Sequence, residues 1–226
     1  MKIAAYLYLL AAVVEVIADL MHYEVVHYIV KPLLMPLLIA FYLLSIRHKV
    51  AKLESLMIAA WVFSWIGDIV LMLAGSDKNY FLAGLIAFLI THVLFIFAFT
   101  LVNDRSAVPL LKRKIWLIIP LLIYIAALIS VVFPAIGMDM KIPVAIYSCV
   151  IGLMVISALN RYKRVSDSSF ALVFGGALLF MFSDSIIAIN KFLFHGTLLM
   201  AGVWIMATYI AGQYLIAKGI LKNNKD

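Results

Sequence analysis

Apolar residues fill this chain in long uninterrupted stretches that are broken by short clusters of charge, without the residue-by-residue alternation of half-buried strands. Eight stretches stand out, at residues 3–21, 29–46, 54–74, 80–102, 115–133, 142–159, 169–190 and 197–217. Each offers close to the roughly 20 helical residues that cross a hydrocarbon layer of about 30 Å. The pattern predicts an all-α fold, a polytopic membrane bundle of eight transmembrane helices. The first stretch follows Met1 and Lys2, but Glu15 and Asp19 interrupt it and no small-x-small cleavage site comes after it, so it reads as a retained helix and not a signal peptide.

Composition agrees with that pattern. Of 226 residues, 67% are hydrophobic, and the mean hydropathy is +1.15, whereas soluble domains are about 45–50% apolar. The net charge of +7 would suit nucleic acid, yet the basic residues sort by loop. Lys2, Arg47, Lys49, Lys52, Arg105, Lys112, Arg113, Lys114, Arg161, Lys163, Arg164, Lys218, Lys222 and Lys225 fall on one side of an eight-span topology, and only Lys31, Lys78, Lys141 and Lys191 on the other. The positive-inside bias then puts both termini in the cytoplasm and leaves no charge that needs a nucleic acid partner. The lone cysteine, Cys149, lies inside a span, so no disulfide or cysteine metal cluster is expected. Connections are short throughout, the longest being residues 103–114, and a single integral-membrane domain over residues 1–226 is expected.

The chemistry sits inside the spans. Ionisable groups there usually face the bundle interior, because lipid cannot solvate them. Tyr8, Glu15, Asp19 and His22 fall on one arc of an ideal helix. Asp68 has Ser64 one turn before it and Gly67 beside it, Asp184 follows Ser183, and His92 lies mid-span. At 1.5 Å per residue, Glu15, Asp19, Asp68 and Asp184 share the outer half of the membrane with Lys31, and His92 lies nearer the midplane. Asp68 in FSWIGD and Asp184 in LFMFSD also suggest a four-plus-four duplication.

Structural readings compete. Glu15 and Asp19 suit a helix end paired with Lys31 or His22, Lys31 suits snorkelling to the interface, and His92 suits a buried ring bonded to a backbone carbonyl. His22, His27 and His195 are at span edges and read as interfacial, and Tyr209 and Gln213 read as interhelical hydrogen-bonding groups. Asp68 and Asp184 resist such readings best, each about two turns inside its span with no basic residue nearby in sequence.

In order along the chain, VKPLLMPLL at 30–38, WIGDIVLML at 65–73, GLIAFLITHVLF at 84–95, PVAIY at 143–147, GGALLFMFSD at 175–184 and YIAGQYLI at 209–216 resemble the YhhN-type lysoplasmalogenase family of multispanning membrane proteins. The resemblance covers nearly the whole chain. It implies hydrolysis of the vinyl ether bond of a lysoplasmalogen, with water as co-substrate, to a fatty aldehyde and a glycerophospho-alcohol. Its motif positions fall here at Lys31, Asp68, His92 and Asp184; Glu15 and Asp19 rest on their own chemistry.

That reaction needs an acid to protonate the carbon beta to oxygen, a counter-charge for the oxocarbenium ion, and a base for the attacking water, the division two carboxylates perform in glycosidases. Asp68, Asp184 and His92 are therefore the expected catalytic groups, with Lys31, Glu15, Asp19, Ser183 and Tyr147 around the lysophospholipid. No cofactor is expected, and a zinc site of His92 with Asp68 and Asp184 lacks a recurring ligand spacing. No GxSxG, HExxH or phosphate-cradling glycine loop occurs. The alternative is a proton-coupled transporter or lipid-binding protein in which buried Asp and His relay protons. Either way, an integral multi-pass protein among membrane lipids is expected, in a bacterial inner membrane.

Overall fold

The computed structural model describes residues 2–46, 50–75, 77–101 and 108–223. Arg47, Lys49, Arg105 and Lys225, which enter the loop-charge pattern, lie outside the described residues. Those described are helical almost throughout: α1 (Lys2–Leu20), α2 (Glu24–Ser45), α3 (Lys52–Ala74), α4 (Lys78–Thr100), the single turn α5 (Leu110–Arg113), α6 (Ile119–Val132), α7 (Met138–Leu159), α8 (Asp167–Phe192) and α9 (Ala201–Asn223). They form two compact units, Met1–Ala98 and Phe99–Asp226.

Seven of the described segments are long and apolar enough to cross a membrane, and they correspond to the first seven predicted spans. The last helix, α9, matches them in length but carries Gln213, Lys218 and Lys222, which dilute its mean hydropathy. Large apolar side chains cover the outside, including Trp116, Ile123, Leu153 and Trp204, each more than half exposed. An exposed apolar surface on that scale is a lipid-facing surface.

Helix ends depart from the apolar windows for physical reasons. Backbone hydrogen bonding continues past the hydrocarbon edge, so α2 begins at Glu24, whose charge suits a helix N-terminus, and not at residue 29. Lys31 and Pro32 consequently lie two turns inside the helix rather than opening it. The fifth span is composite: a 3-10 turn at Ile115–Ile118 leads into α6, with Pro120 in its first turn, and a second 3-10 turn at Phe133–Ala135 contains Pro134. Helix α1 stops at Leu20, and His22 adopts a positive φ of 56° in the exposed turn that follows. His22 therefore leaves the polar stripe that an uninterrupted helix would have given it.

In the first unit, α3 and α4 run antiparallel in a tight register. The Ser64 hydroxyl donates to Thr91 at 3.3 Å, a Cβ on Gly67 would come 2.7 Å from the Phe88 ring, and one on Gly84 would come 2.6 Å from Leu71. In the second unit, α8 and α9 meet backbone to backbone. A Cβ on Gly176 would lie 2.6 Å from the Gly212 carbonyl oxygen, and one on Gly212 would lie 2.9 Å from that of Gly176. This is the close approach that small residues permit between membrane helices. Gly176→Ala should lower thermal stability in detergent by about 1–3 kcal/mol, since backbone cannot yield as a side chain can. Gly175→Ala, where a Cβ meets nothing within 4 Å, should leave the melting temperature unchanged or raise it.

Candidate functional site

In the first unit, the apolar spacing of α1 turns Tyr8, Ala12, Glu15 and Ala18 inward. Glu15 is wholly buried, and Asp19, one turn on, is 18% exposed at its side chain. Helix α2 packs against α1 and brings His27 to them: its Nδ1 lies 2.8 Å from Glu15 Oε1 and 3.4 Å from Asp19 Oδ1. Lys31 follows His27 by one turn and acts electrostatically on Asp19, as does His22.

A second link joins α2 to α3. Proline at 36 has no N–H to offer the Pro32 carbonyl one turn earlier, which would orphan that oxygen inside the helix. The Trp65 indole N–H fills the place, donating to Pro32 O at 2.8 Å. Trp65 precedes Asp68 by three residues, so this bond fixes the rotation of the segment that carries it. Asp68 is buried at 4% exposure, and His92 is fully buried on α4. Beside His92, the Thr91 hydroxyl stands at hydrogen-bond distance from Ala60 O and Ala87 O, 3.1 and 3.2 Å away. Thr91 thereby ties α4 to the face of α3 that bears Ser64.

In the second unit, Asp184 on α8 is half-buried and accepts a hydrogen bond of 2.5 Å from the Tyr147 hydroxyl on α7. Tyr209, on α9, is close enough to act electrostatically on Tyr147 and packs edge-on against Phe180 with ring centroids 5.3 Å apart. Ser183 turns the other way: its hydroxyl donates to Ile205 O at 3.0 Å and belongs to the α8–α9 packing. The next serine on α8, Ser185, instead receives the Tyr124 hydroxyl at 2.8 Å.

The predicted residues thus fall into local groups: Glu15, Asp19 and Lys31 on α1 and α2; Asp68 and His92 on α3 and α4; Tyr147 and Asp184 on α7 and α8. His27 escaped sequence reasoning as a functional residue because it stands at the edge of an apolar window. Its signal is the spacing to Lys31, which places both on one face of α2. Arg161 escaped as well. It is 1% exposed just past α7, where Nη2 donates to Ser169 Oγ at 3.1 Å and Ser169 donates to Gly219 O at 2.7 Å. Burial, helped by the nearby charge of Arg164, pushes Arg161 down to about 10, still charged at neutral pH.

A bundle of apolar helices with acids held inside it defines a class, the polytopic membrane proteins that carry ionisable groups in their interior. Comparison narrows the class. The YhhN family model matches residues 26–220, and the chain belongs to that family. It is 30% identical over 173 residues to the lysoplasmalogenase TMEM86A of Bos taurus, and 29% identical over 176 residues to the lysoplasmalogenase of Mycobacterium tuberculosis. These matches take in 73% and 77% of the chain and 64% of each relative, so the chain spans just under two thirds of their length. No solved structure matches it.

The Trp65 contact can be checked directly. Trp65→Phe should destabilise the protein by about 1–3 kcal/mol, the cost of a buried polar group left unmet. Adding Pro36→Ala, which restores a backbone N–H to the Pro32 carbonyl, should recover part of that loss in thermal unfolding.

Proposed function

We propose that the protein hydrolyses the vinyl ether bond of a lysoplasmalogen, an alkenyl-glycerophosphoethanolamine or -choline, to a fatty aldehyde and a glycerophospho-alcohol. The observation that carries the reading is the Tyr147–Asp184 hydrogen bond inside the second unit, in a chain whose curated relatives are named lysoplasmalogenases. The bond holds the Asp184 carboxyl on α8 against α7. One of Asp184 and Asp68 is the base and counter-charge, stabilising the oxocarbenium ion and taking the proton of the attacking water. The other is the acid that protonates the carbon beta to the ether oxygen. Water adds to the cation, and the hemiacetal collapses to aldehyde and alcohol. His92 orients water or the acid. Lys31, Glu15 and Asp19 lie at the polar head group, Tyr147 and Ser183 support the Asp184 helix, and the alkenyl chain lies along apolar helix faces.

The same reading gives α9 the eighth crossing and puts both termini in the cytoplasm of a bacterial cell, the protein lying in the inner membrane. The distribution of lysine and arginine supports it, with 14 of 18 on one side.

The test is product analysis by mass spectrometry on the purified protein in detergent, given 1-alkenyl lysolipids. Wild type should release aldehyde. Asp68→Asn and Asp184→Asn, folded by the criterion of an unchanged melting temperature, should be slower by about 10²-fold or more, the scale of a lost acid or base. Tyr147→Phe should lose on the order of tenfold, the kinetic equivalent of one charge-assisted hydrogen bond. Full turnover by both Asn variants refutes the assignment. Lipid carried unchanged across sealed vesicles, with no aldehyde formed, refutes the enzyme reading in favour of a proton-coupled carrier.

A further inference from the structure

The carboxylates of α1 do not need the reaction above to be conspicuous. Glu15 is completely buried, and neither of its oxygens receives a hydrogen bond from any described residue; Asp19 Oδ2 is likewise unmet. Among the described residues, the His27 ring approaches both acids. Its Nδ1 lies 2.8 Å from Glu15 Oε1, at bonding distance, yet the oxygen is off the direction in which the ring nitrogen would donate. That is the relation expected of two ligands that point at a third atom between them rather than at each other.

We propose that Glu15, Asp19 and His27 form a binding site for a divalent transition-metal cation, of the zinc type, between α1 and α2. One oxygen from each acid and one ring nitrogen all lie within 4.8 Å of one another. Ligands about 2.0–2.1 Å from a tetrahedral zinc ion stand roughly 3.3 Å apart. The His27–Asp19 separation of 3.4 Å already meets this, and Glu15 needs only a small side-chain rotation to open its 2.8 Å approach. Charge supports the assignment, because two carboxylates beside an apolar core repel one another and a dication would neutralise both. The donor set chooses the metal: an imidazole nitrogen with two carboxylate oxygens suits zinc or its first-row neighbours, whereas calcium takes six to eight oxygens and magnesium retains most of its water. With three protein ligands the fourth position is left to water or to an anionic group.

Lys31 and His22 also act on Asp19, which supplies the rival arrangement, an ion-paired cluster with no metal. The two differ in metal content. Full-length protein purified in detergent, stripped with chelator and exposed to zinc, should retain about one zinc per chain after gel filtration, by elemental mass spectrometry. Cobalt substitution should give the visible absorption of a low-coordinate nitrogen–oxygen site. Glu15→Gln and His27→Ala should weaken zinc binding on the order of tenfold or more, and Glu24→Gln, an exposed acid on the same helix, should not. Because the wild-type measurement needs no variant to fold, it decides alone: no saturable zinc or cobalt retention by the wild type overturns the proposal. Retention by Glu15→Gln and His27→Ala at wild-type affinity overturns it equally. Neither outcome depends on aldehyde release, so the site stands or falls apart from the hydrolase reading.

Discussion

A polar group inside an apolar helix bundle has no water to turn to and must be met by another helix. The described structure is organised around that constraint. Thr91 stands against backbone carbonyls on its own helix and its neighbour, Trp65 completes a carbonyl that proline has orphaned, and Ser169 passes the Arg161 contact on to the Gly219 backbone. Each bond spends a side chain on holding a neighbouring segment in register. Since lipid is as apolar as leucine, hydrophobic burial between helices gives little orientation, and these few polar contacts with the glycine approaches set it.

The glycines make such contacts possible by bringing backbones together. Gly176 and Gly212 let α8 and α9 meet main chain to main chain, and the same approach puts Ser183 within reach of the Ile205 carbonyl. On α3, Gly67 admits the Phe88 ring where any side chain would push it out. Asp68 follows immediately, so its position depends on an absence of atoms one residue earlier.

The sequence made the spans legible because hydrocarbon demands a long apolar run. It could not show their ends, since backbone hydrogen bonding carries a helix past the apolar edge, as at Glu24 and Met138. The candidate acids were legible for a related reason: a charge among apolar residues is conspicuous in one dimension. Their partners were not, because partnership is a property of separate helices. Nothing in the sequence ties Tyr147 to Asp184 across 37 residues, or Trp65 to Pro32, although two prolines one turn apart in α2 do announce an orphaned carbonyl. His27 shows the limit most clearly, since a histidine at a window edge looks interfacial until a neighbouring helix sets two acids against it.

The two acidic groupings are suited to different work. Tyr147 meets Asp184 with a neutral hydroxyl, which can donate to the carboxylate or accept from the acid, so the carboxyl can change protonation without losing its neighbour. Glu15 and Asp19 have instead a histidine whose ring nitrogen stands close to both carboxylates without hydrogen-bonding geometry to either. A group of that composition gains most from a fixed positive charge and loses it if the acids take up protons, because protonation removes the ligands. One environment is therefore compatible with proton cycling and the other with a standing cation. In a bundle where every buried charge needs an explanation, that difference follows from whether the nearest partner is a hydroxyl or an imidazole.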